Sequence, residues 1–141
     1  RINKGQFYPA SYDRPHDFNL QLNCLYSRRL NWSVNIVYNT GRPVSYPVTF
    51  YPYNGVNILY YSERNKYRLP DYLRLDVSVN LYSNLKASRI FRPSWNFSVY
   101  NLLGRENIYT VFFRSENNKI QGYSLSIFAR AIPTVSYRMD F

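Results

Sequence analysis

LRLDVSVNLY, residues 73–82, alternates without a break. Leu73, Leu75, Val77, Val79 and Leu81 fall on one side, and Arg74, Asp76, Ser78, Asn80 and Tyr82 on the other. A period of two belongs to a strand, because a helix would spread alternate residues around its whole circumference. The apolar row faces an environment without water. Whether that environment is a protein core or lipid decides what fold these residues build.

The same period recurs outward from this stretch. Phe18, Leu20, Leu22, Cys24 and Tyr26 form one row of residues 17–26, against Asp17, Asn19, Gln21 and Asn23. Trp32, Val34, Ile36 and Tyr38 oppose Ser33, Asn35, Val37 and Asn39. Trp95, Phe97 and Val99 oppose Asn96, Ser98 and Tyr100. The last eight residues set Val135, Tyr137, Met139 and Phe141 against Thr134, Ser136, Arg138 and Asp140. Five strands are expected, over 17–26, 31–40, 71–82, 94–114 and 120–141. The last two arms flank a polar SENNK turn at 115–119 and read as one extended hairpin, with Gly104 and Pro133 marking bulges or bends.

Composition agrees with an all-β chain. The 141 residues include 16 Tyr and 9 Phe, while the helix formers Ala, Glu and Lys are scarce. The formal charge of +10 is dispersed, about one arginine per strand or turn. That pattern fits solvation and ion pairing better than a nucleic-acid surface. Cys24 continues an apolar row and reads as a small packed hydrophobe. The chain opens at Arg1 in mid-loop style and reads as a piece of a longer protein.

Three features favour lipid over a sandwich core for the apolar rows. The polar rows carry Asn, Ser, Gln and scattered Arg rather than the Lys and Glu of a water-washed sheet face. Aromatics bracket the apolar rows (Phe18 and Tyr26, Trp32 and Tyr38, Trp95, Phe141), as amphipathic rings do at a headgroup boundary. The alternating runs are long enough to cross a bilayer at a tilt. In lipid no backbone group is left unpaired, so five strands cannot span alone and must belong to a closed antiparallel barrel. The links alternate too: 27–30 is tight, 41–70 is long, with four prolines and six tyrosines, and 83–93 is intermediate and basic, with Lys86, Arg89 and Arg92. Short turns on the periplasmic side and long loops outside match this rhythm.

The residues offer little for catalysis. His16 is the single histidine, beside Arg14, Pro15 and Asp17, and reads as part of a turn leading into a strand. No Gly-rich phosphate loop and no metal-ligand spacing occurs, so neither an enzyme nor a cofactor is expected. Arg74 and Asp76 lie two apart on one face and read as an ion pair in a polar wall, with Asn80 on the same face. The best binding candidate is the loop 42–70, where Tyr51, Tyr53, Tyr60 and Tyr61 are close in sequence. Tyrosines stack on sugars or peptides at low entropic cost; the plainer alternative is that they pack the loop on itself. Arg42, Arg64, Lys66 and Arg68 add a basic character that suits an acidic ligand or lipopolysaccharide phosphate.

Several segments resemble a known family. FYPASYDRPHDFNL (7–20), NTGRPVSYP (39–47), YRLPDYLRLDVSVNLY (67–82), SWNFSVYNLLGRENIYTVFF (94–113) and IPTVSYRMDF (132–141) are similar to the C-terminal barrel of TonB-dependent outer-membrane receptors, especially the SusC-like transporters of Bacteroidota. The resemblance covers nearly the whole of 1–141. It implies a transmembrane β-barrel of 22 strands, of which this chain would supply strands 18 to 22. It implies active import of a glycan, a peptide or a chelated metal or cofactor. Implied partners are outer-membrane lipid and lipopolysaccharide, the rest of the same barrel and its plug, the TonB complex acting through a part absent here, and a SusD-like surface lipoprotein. Nucleic acid is not among them. Arg74, Asp76 and Asn80 would then face the lumen or the plug. Val135, Tyr137, Met139 and Phe141 would form the barrel-assembly signal. The competing expectations are a passive porin or structural barrel without energy coupling, and a soluble β-rich binding module.

Overall fold

A computed structural model of the chain describes residues 2–61, 63–83, 92–116 and 118–140. The protein is all-β, with 63% of the described residues in strands. In chain order the strands are β1 (Asp17–Leu25), β2 (Leu30–Asn39), β3 (Pro43–Val44), β4 (Pro47–Tyr53), β5 (Val56–Tyr61), β6 (Tyr67–Arg68), β7 (Tyr72–Tyr82), β8 (Arg92–Tyr100), β9 (Ile108–Glu116), β10 (Lys119–Ser126) and β11 (Ile132–Asp140). No helix among the described residues is long and apolar enough to cross a membrane. The chain divides into two compact units. One, the sheet unit, holds 17–38, 73–106 and 128–141; the other, the loop unit, holds 1–16, 39–72 and 107–127.

The sheet unit is built on five strands in the order β1-β2-β7-β8-β11. Ser27 and Leu30 exchange backbone hydrogen bonds of 3.0 and 3.3 Å, which closes the β1–β2 hairpin around Arg28 and Arg29. Across β7, β8 and β11 the antiparallel register puts like residues side by side. Asn80 lies opposite Asn96, which lies opposite Ser136; Ser78 faces Ser98, which faces Thr134. The alternate rows are Val79, Phe97 and Val135, then Leu81, Trp95 and Tyr137. One face of the sheet is therefore polar and the other apolar, as the period of two requires.

The apolar face is bare. Phe97 is 42% exposed and Val135 60%, and Phe18, Leu22, Trp32, Leu81, Trp95, Tyr137 and Met139 are exposed as well. Rings on this face meet one another, with Trp95 and Tyr137 centroids 4.7 Å apart. The buried apolar side chains among the described residues, Leu69 and Pro43, belong to the loop unit. A soluble sandwich would bury such a face against a second layer.

The expected long hairpin over 94–114 and 120–141 is split. Its outer part is β8 with β11, its inner part β9 with β10, and residues 101–107 and 127–131 interrupt both arms. Gly104 sits in a turn closed by its own N–H donating to the Asn101 carbonyl at 2.8 Å, with φ of 59°. Pro133, expected at a bend, pairs with Val99 in unbroken register. Among the described strands β11 has only β8 beside it, so a position whose N–H would face away from β8 loses no ladder bond to proline. The bulge lies instead between Leu125 and Ser126. Phe141, Lys86 and Arg89 lie outside the described residues, as does the side chain of Arg92.

The stretch 41–70, expected as a loop, carries four strands: β3 pairs with β6 and β4 with β5. The β4–β5 turn is Asn54-Gly55, with φ of 49° and 80°. Both residues are left-handed, as a type I′ hairpin turn demands, and Asn-Gly is its strongest sequence signal. At Gly41 a Cβ atom would stand 1.6 Å from the Leu69 carbonyl oxygen, so only glycine permits the two chain segments to approach. The Gly41 N–H donates to Asp71 Oδ1 at 2.9 Å, and Arg68 donates to the Gly41 carbonyl at 3.0 Å while pairing with Asp13. His16 works through its backbone: its N–H donates to Thr40 Oγ1 at 2.7 Å, and Thr40 N donates to the His16 carbonyl at 3.0 Å.

Candidate functional site

On the polar face of the sheet, Asp76 is a convergence point. Its Oδ2 accepts from Arg74 Nε at 3.0 Å and from Asn35 Nδ2 at 3.2 Å. Its Oδ1 accepts from the backbone N–H of Asn101 at 3.0 Å. Arg74 also donates to the Tyr100 hydroxyl at 2.8 Å, and its guanidinium lies over that ring, 4.6 Å from the centroid. The two charges thus compensate each other in a half-buried setting, where pairing matters more than on an open surface. Asn80 takes the Asn96 amide at 2.6 Å, and Ser33 and Ser78 hydroxyls meet at 2.8 Å. Two shallow grooves result, one lined by Ser33, Asn35, Asp76, Ser78, Ser98 and Tyr100, the other by Asn80, Tyr82, Ser94, Asn96, Ser136 and Arg138. Val77 and Val99 also line the first groove, so its polar groups sit among apolar surface. The structure brings Arg74, Asp76 and Asn80 to one face, as their parity predicts.

Asn101 is a residue the sequence reading passed over. It is 1% exposed and left-handed, with φ of 51°. Its amide donates to the carbonyls of Arg105 and Phe128, both at 3.0 Å, so it ties the turn after β8 to the segment leading into β11. An asparagine directly before Leu-Leu-Gly was the available signal, since Asn tolerates left-handed turns and satisfies loop backbone.

The four candidate tyrosines separate. In the β4–β5 register Tyr51 faces Ile58, Tyr53 faces Val56 and Tyr60 faces Thr49. Tyr51, Tyr53 and Tyr60 therefore share one face of the hairpin, all exposed. Tyr61 follows Tyr60 and alternates to the other face, so it is not part of that group. The face it joins bears Asn57, which donates to Ser115 Oγ at 3.2 Å and to Asn118 Oδ1 at 3.3 Å. That face packs toward β9 and β10.

The outer face of β9–β10 holds a second aromatic group. Phe112 and Tyr123 stack at 5.3 Å, and the Arg114 guanidinium lies 5.9 Å from the Phe112 centroid. The Tyr123 hydroxyl hydrogen-bonds Glu116 at 3.0 Å and Gln121 at 2.8 Å. The bond to Glu116 holds the Tyr123 phenol above its ordinary pKa, because the neutral phenol is the donor to the carboxylate. Glu63, 3.0 Å away, likewise raises the Lys66 ammonium. On the inner face the Phe113 ring lies across Gly122, where a Cβ would come within 3.0 Å of it, and Phe113 meets Tyr46 edge-on at 5.0 Å.

Val135, Tyr137 and Met139 stand exposed in one row along the edge strand β11. Among the described residues no cluster of His, Cys, Asp or Glu is arranged to hold a metal ion. Compared with known proteins, the chain matches no family model, no curated protein and no solved structure.

Proposed function

We propose that this chain is the C-terminal wall and outer loops of an outer-membrane β-barrel, in a TonB-dependent receptor that imports a nutrient. The observation that carries the reading is the bare apolar face of the five-stranded sheet, rowed with Val, Leu, Phe and Trp and opposed by a face of Asn, Ser and paired charges. Hydrocarbon is the solvent that suits the first face, and a wet enclosed lumen suits the second. β1 and β11 each have a neighbour on one side only, so in lipid the sheet must continue past both edges and close. Energy coupling and import rest on the sequence resemblance. The partners on this reading are lipid and lipopolysaccharide, the remaining barrel and plug, the TonB complex and a SusD-like lipoprotein.

The test uses the intact protein in its native host. It is expected in the outer-membrane fraction, with electrophoretic mobility that changes on heating, and uptake of its nutrient is expected to stop when TonB is deleted. Uptake that persists without TonB would leave a passive porin. Recovery of the intact protein in the soluble fraction would reject the barrel altogether.

A further inference from the structure

Charge is unevenly spread along the sheet unit. At the end where β1 and β7 begin and β8 runs out, Asp17, Asp76 and Glu106 stand with Arg74, Arg105 and Arg130. At the opposite end, where β1 turns into β2, the strands and their turn carry Arg28, Arg29, Arg92 and Arg138 against one acid, Asp140. The link 83–91, which joins β7 to β8, has no acidic residue in its sequence. Two grooves open on the polar face at this basic end and share Tyr82. One is lined by Leu25, Ser27, Arg28, Asn31 and Tyr82; the other, described above, includes Arg138. Neither lining contains a carboxylate. Arg28 is exposed, and among the described residues no acid pairs with it.

We infer that this end of the polar face binds an acidic polypeptide segment of a partner protein, with carboxylates at Arg28 and Arg138. Ser94 stands between Tyr82 and Arg138 in register, and the Tyr82 N–H donates to the Arg29 carbonyl at 2.8 Å. One row of residues therefore runs from Arg138 across β8 and β7 to the β1–β2 turn. Three strand steps separate its ends, about 14–15 Å, the reach of roughly four residues of extended chain. Between the two arginines, Tyr82, Ser94, Asn80 and Asn96 offer neutral donors and acceptors to the backbone of such a segment. A single phosphate would reach only one of the arginines. A lipid headgroup fits less well for a different reason. Arg28 and Arg138 line grooves on the face that bears Asn80 and Asn96, while the apolar rows that would meet hydrocarbon lie on the other. A basic segment would meet like charge. On the barrel reading this end is the periplasmic mouth of the lumen; that placement rests on the reading, and the binding does not.

The test is calorimetric titration of the intact protein, in neutral detergent at low salt, with a blocked peptide of alternating glutamate and serine. The comparison probes are the same peptide with glutamine for glutamate, and phosphatidylglycerol in mixed micelles. The acidic peptide is expected to bind, and raising the salt from about 0.05 M to about 0.5 M is expected to weaken it by about tenfold. Joint replacement Arg28→Gln, Arg138→Gln is expected to weaken it by about fivefold or more. Arg28→Gln alone, on an exposed turn where folding is not at stake, should weaken it by about twofold or more. Arg130→Gln removes the same charge from an exposed site at the balanced end and should leave binding unchanged. The inference is overturned if the glutamine peptide binds as tightly, or if Arg130→Gln weakens binding as much as Arg28→Gln. It is overturned equally if the Arg28 variants bind like the parent, if phosphatidylglycerol binds through these arginines and the peptide does not, or if no probe binds. Recovery of the intact protein in the soluble fraction would sink the barrel reading and leave this inference to stand on the titration.

Discussion

In the sheet unit, Asn80 bonds another side chain, the amide of Asn96. In the loop unit, Asn65 serves backbone: its amide donates to the Pro9 carbonyl at 2.8 Å, and its own N–H donates to Ser45 Oγ at 2.8 Å. The contrast holds on the sheet's polar face and around the short strands β3 and β6, though Asn101 serves backbone in the sheet unit and Asn57 bonds side chains in the loop unit. Ser33 with Ser78, Asn35 with Asp76 and Arg74 with Asp76 are side-chain pairs on a sheet whose backbone is already satisfied by its ladders. Asn3 with the Arg64 backbone, Arg68 with the Gly41 and Asp13 carbonyls, and Asp71 with Gly41 N–H are side chains completing a backbone that two-residue strands leave unpaired. Backbone groups outside the ladders need partners, and here side chains supply them at Gly41, Asp13 and Arg64. The same residue types therefore make a smooth polar wall in one unit and a stiff, tied loop in the other.

The largest expected effect tests the sheet. On the barrel reading, Leu75→Arg puts a cation on the apolar face and should cost about 2–4 kcal/mol. Ser78→Arg, on the polar face, should cost far less. Folding titrations of the intact protein into lipid vesicles measure both, and equal costs would mean that the two faces do not differ in solvent.

Next comes the contrast between the asparagines. Asn65→Ala strands the Pro9 carbonyl, at about 1–3 kcal/mol, and places alanine at φ 57°, at about 1–2 kcal/mol more. Asn80→Ala removes one side-chain bond from a wall that water can reach, at about 0.5–1.5 kcal/mol. Limited proteolysis of the loops, run beside vesicle unfolding, should show Asn65→Ala loosening 63–70 and Asn80→Ala leaving the loops protected. If both variants behave alike, the division of labour between the units is wrong.

The smallest effect concerns charge in the loop unit. The Tyr123 phenol, held up by its bond to Glu116, should ionise at higher pH than a free tyrosine. Its contribution is complete below the unfolded phenol's pKa and is lost as pH rises through the folded value. Ultraviolet difference titration of Tyr123→Phe against the parent isolates that transition, and Glu116→Gln should move it down toward the ordinary value.

Much of the sheet was legible in the chain itself. Period two over 73–82 predicts that Leu75 and Asp76 lie on opposite faces, and the same parity sets Trp95 against Asn96 and Tyr137 against Ser136. The β4–β5 hairpin was equally legible through Asn54-Gly55, but the density of proline and tyrosine in 41–70 drew attention to loop character instead. The candidate tyrosines were half legible. Nearness in sequence groups four, while alternation separates Tyr61 from Tyr60. Asn101 was hidden because its importance lies in two carbonyls, one of them at Phe128, that no local pattern connects.

What the sequence determined alone was parity: the alternation of side chains in a strand is a property of local backbone geometry, so which residues share a face needs no fold. Tertiary structure decided partnership. It split one expected hairpin into β8–β11 and β9–β10, set Asn80 against Asn96, and brought Leu69 so close to Gly41 that no side chain fits there. Those choices depend on register and on chain segments far apart in sequence, where the free energy of a contact is known only once both sides are in place.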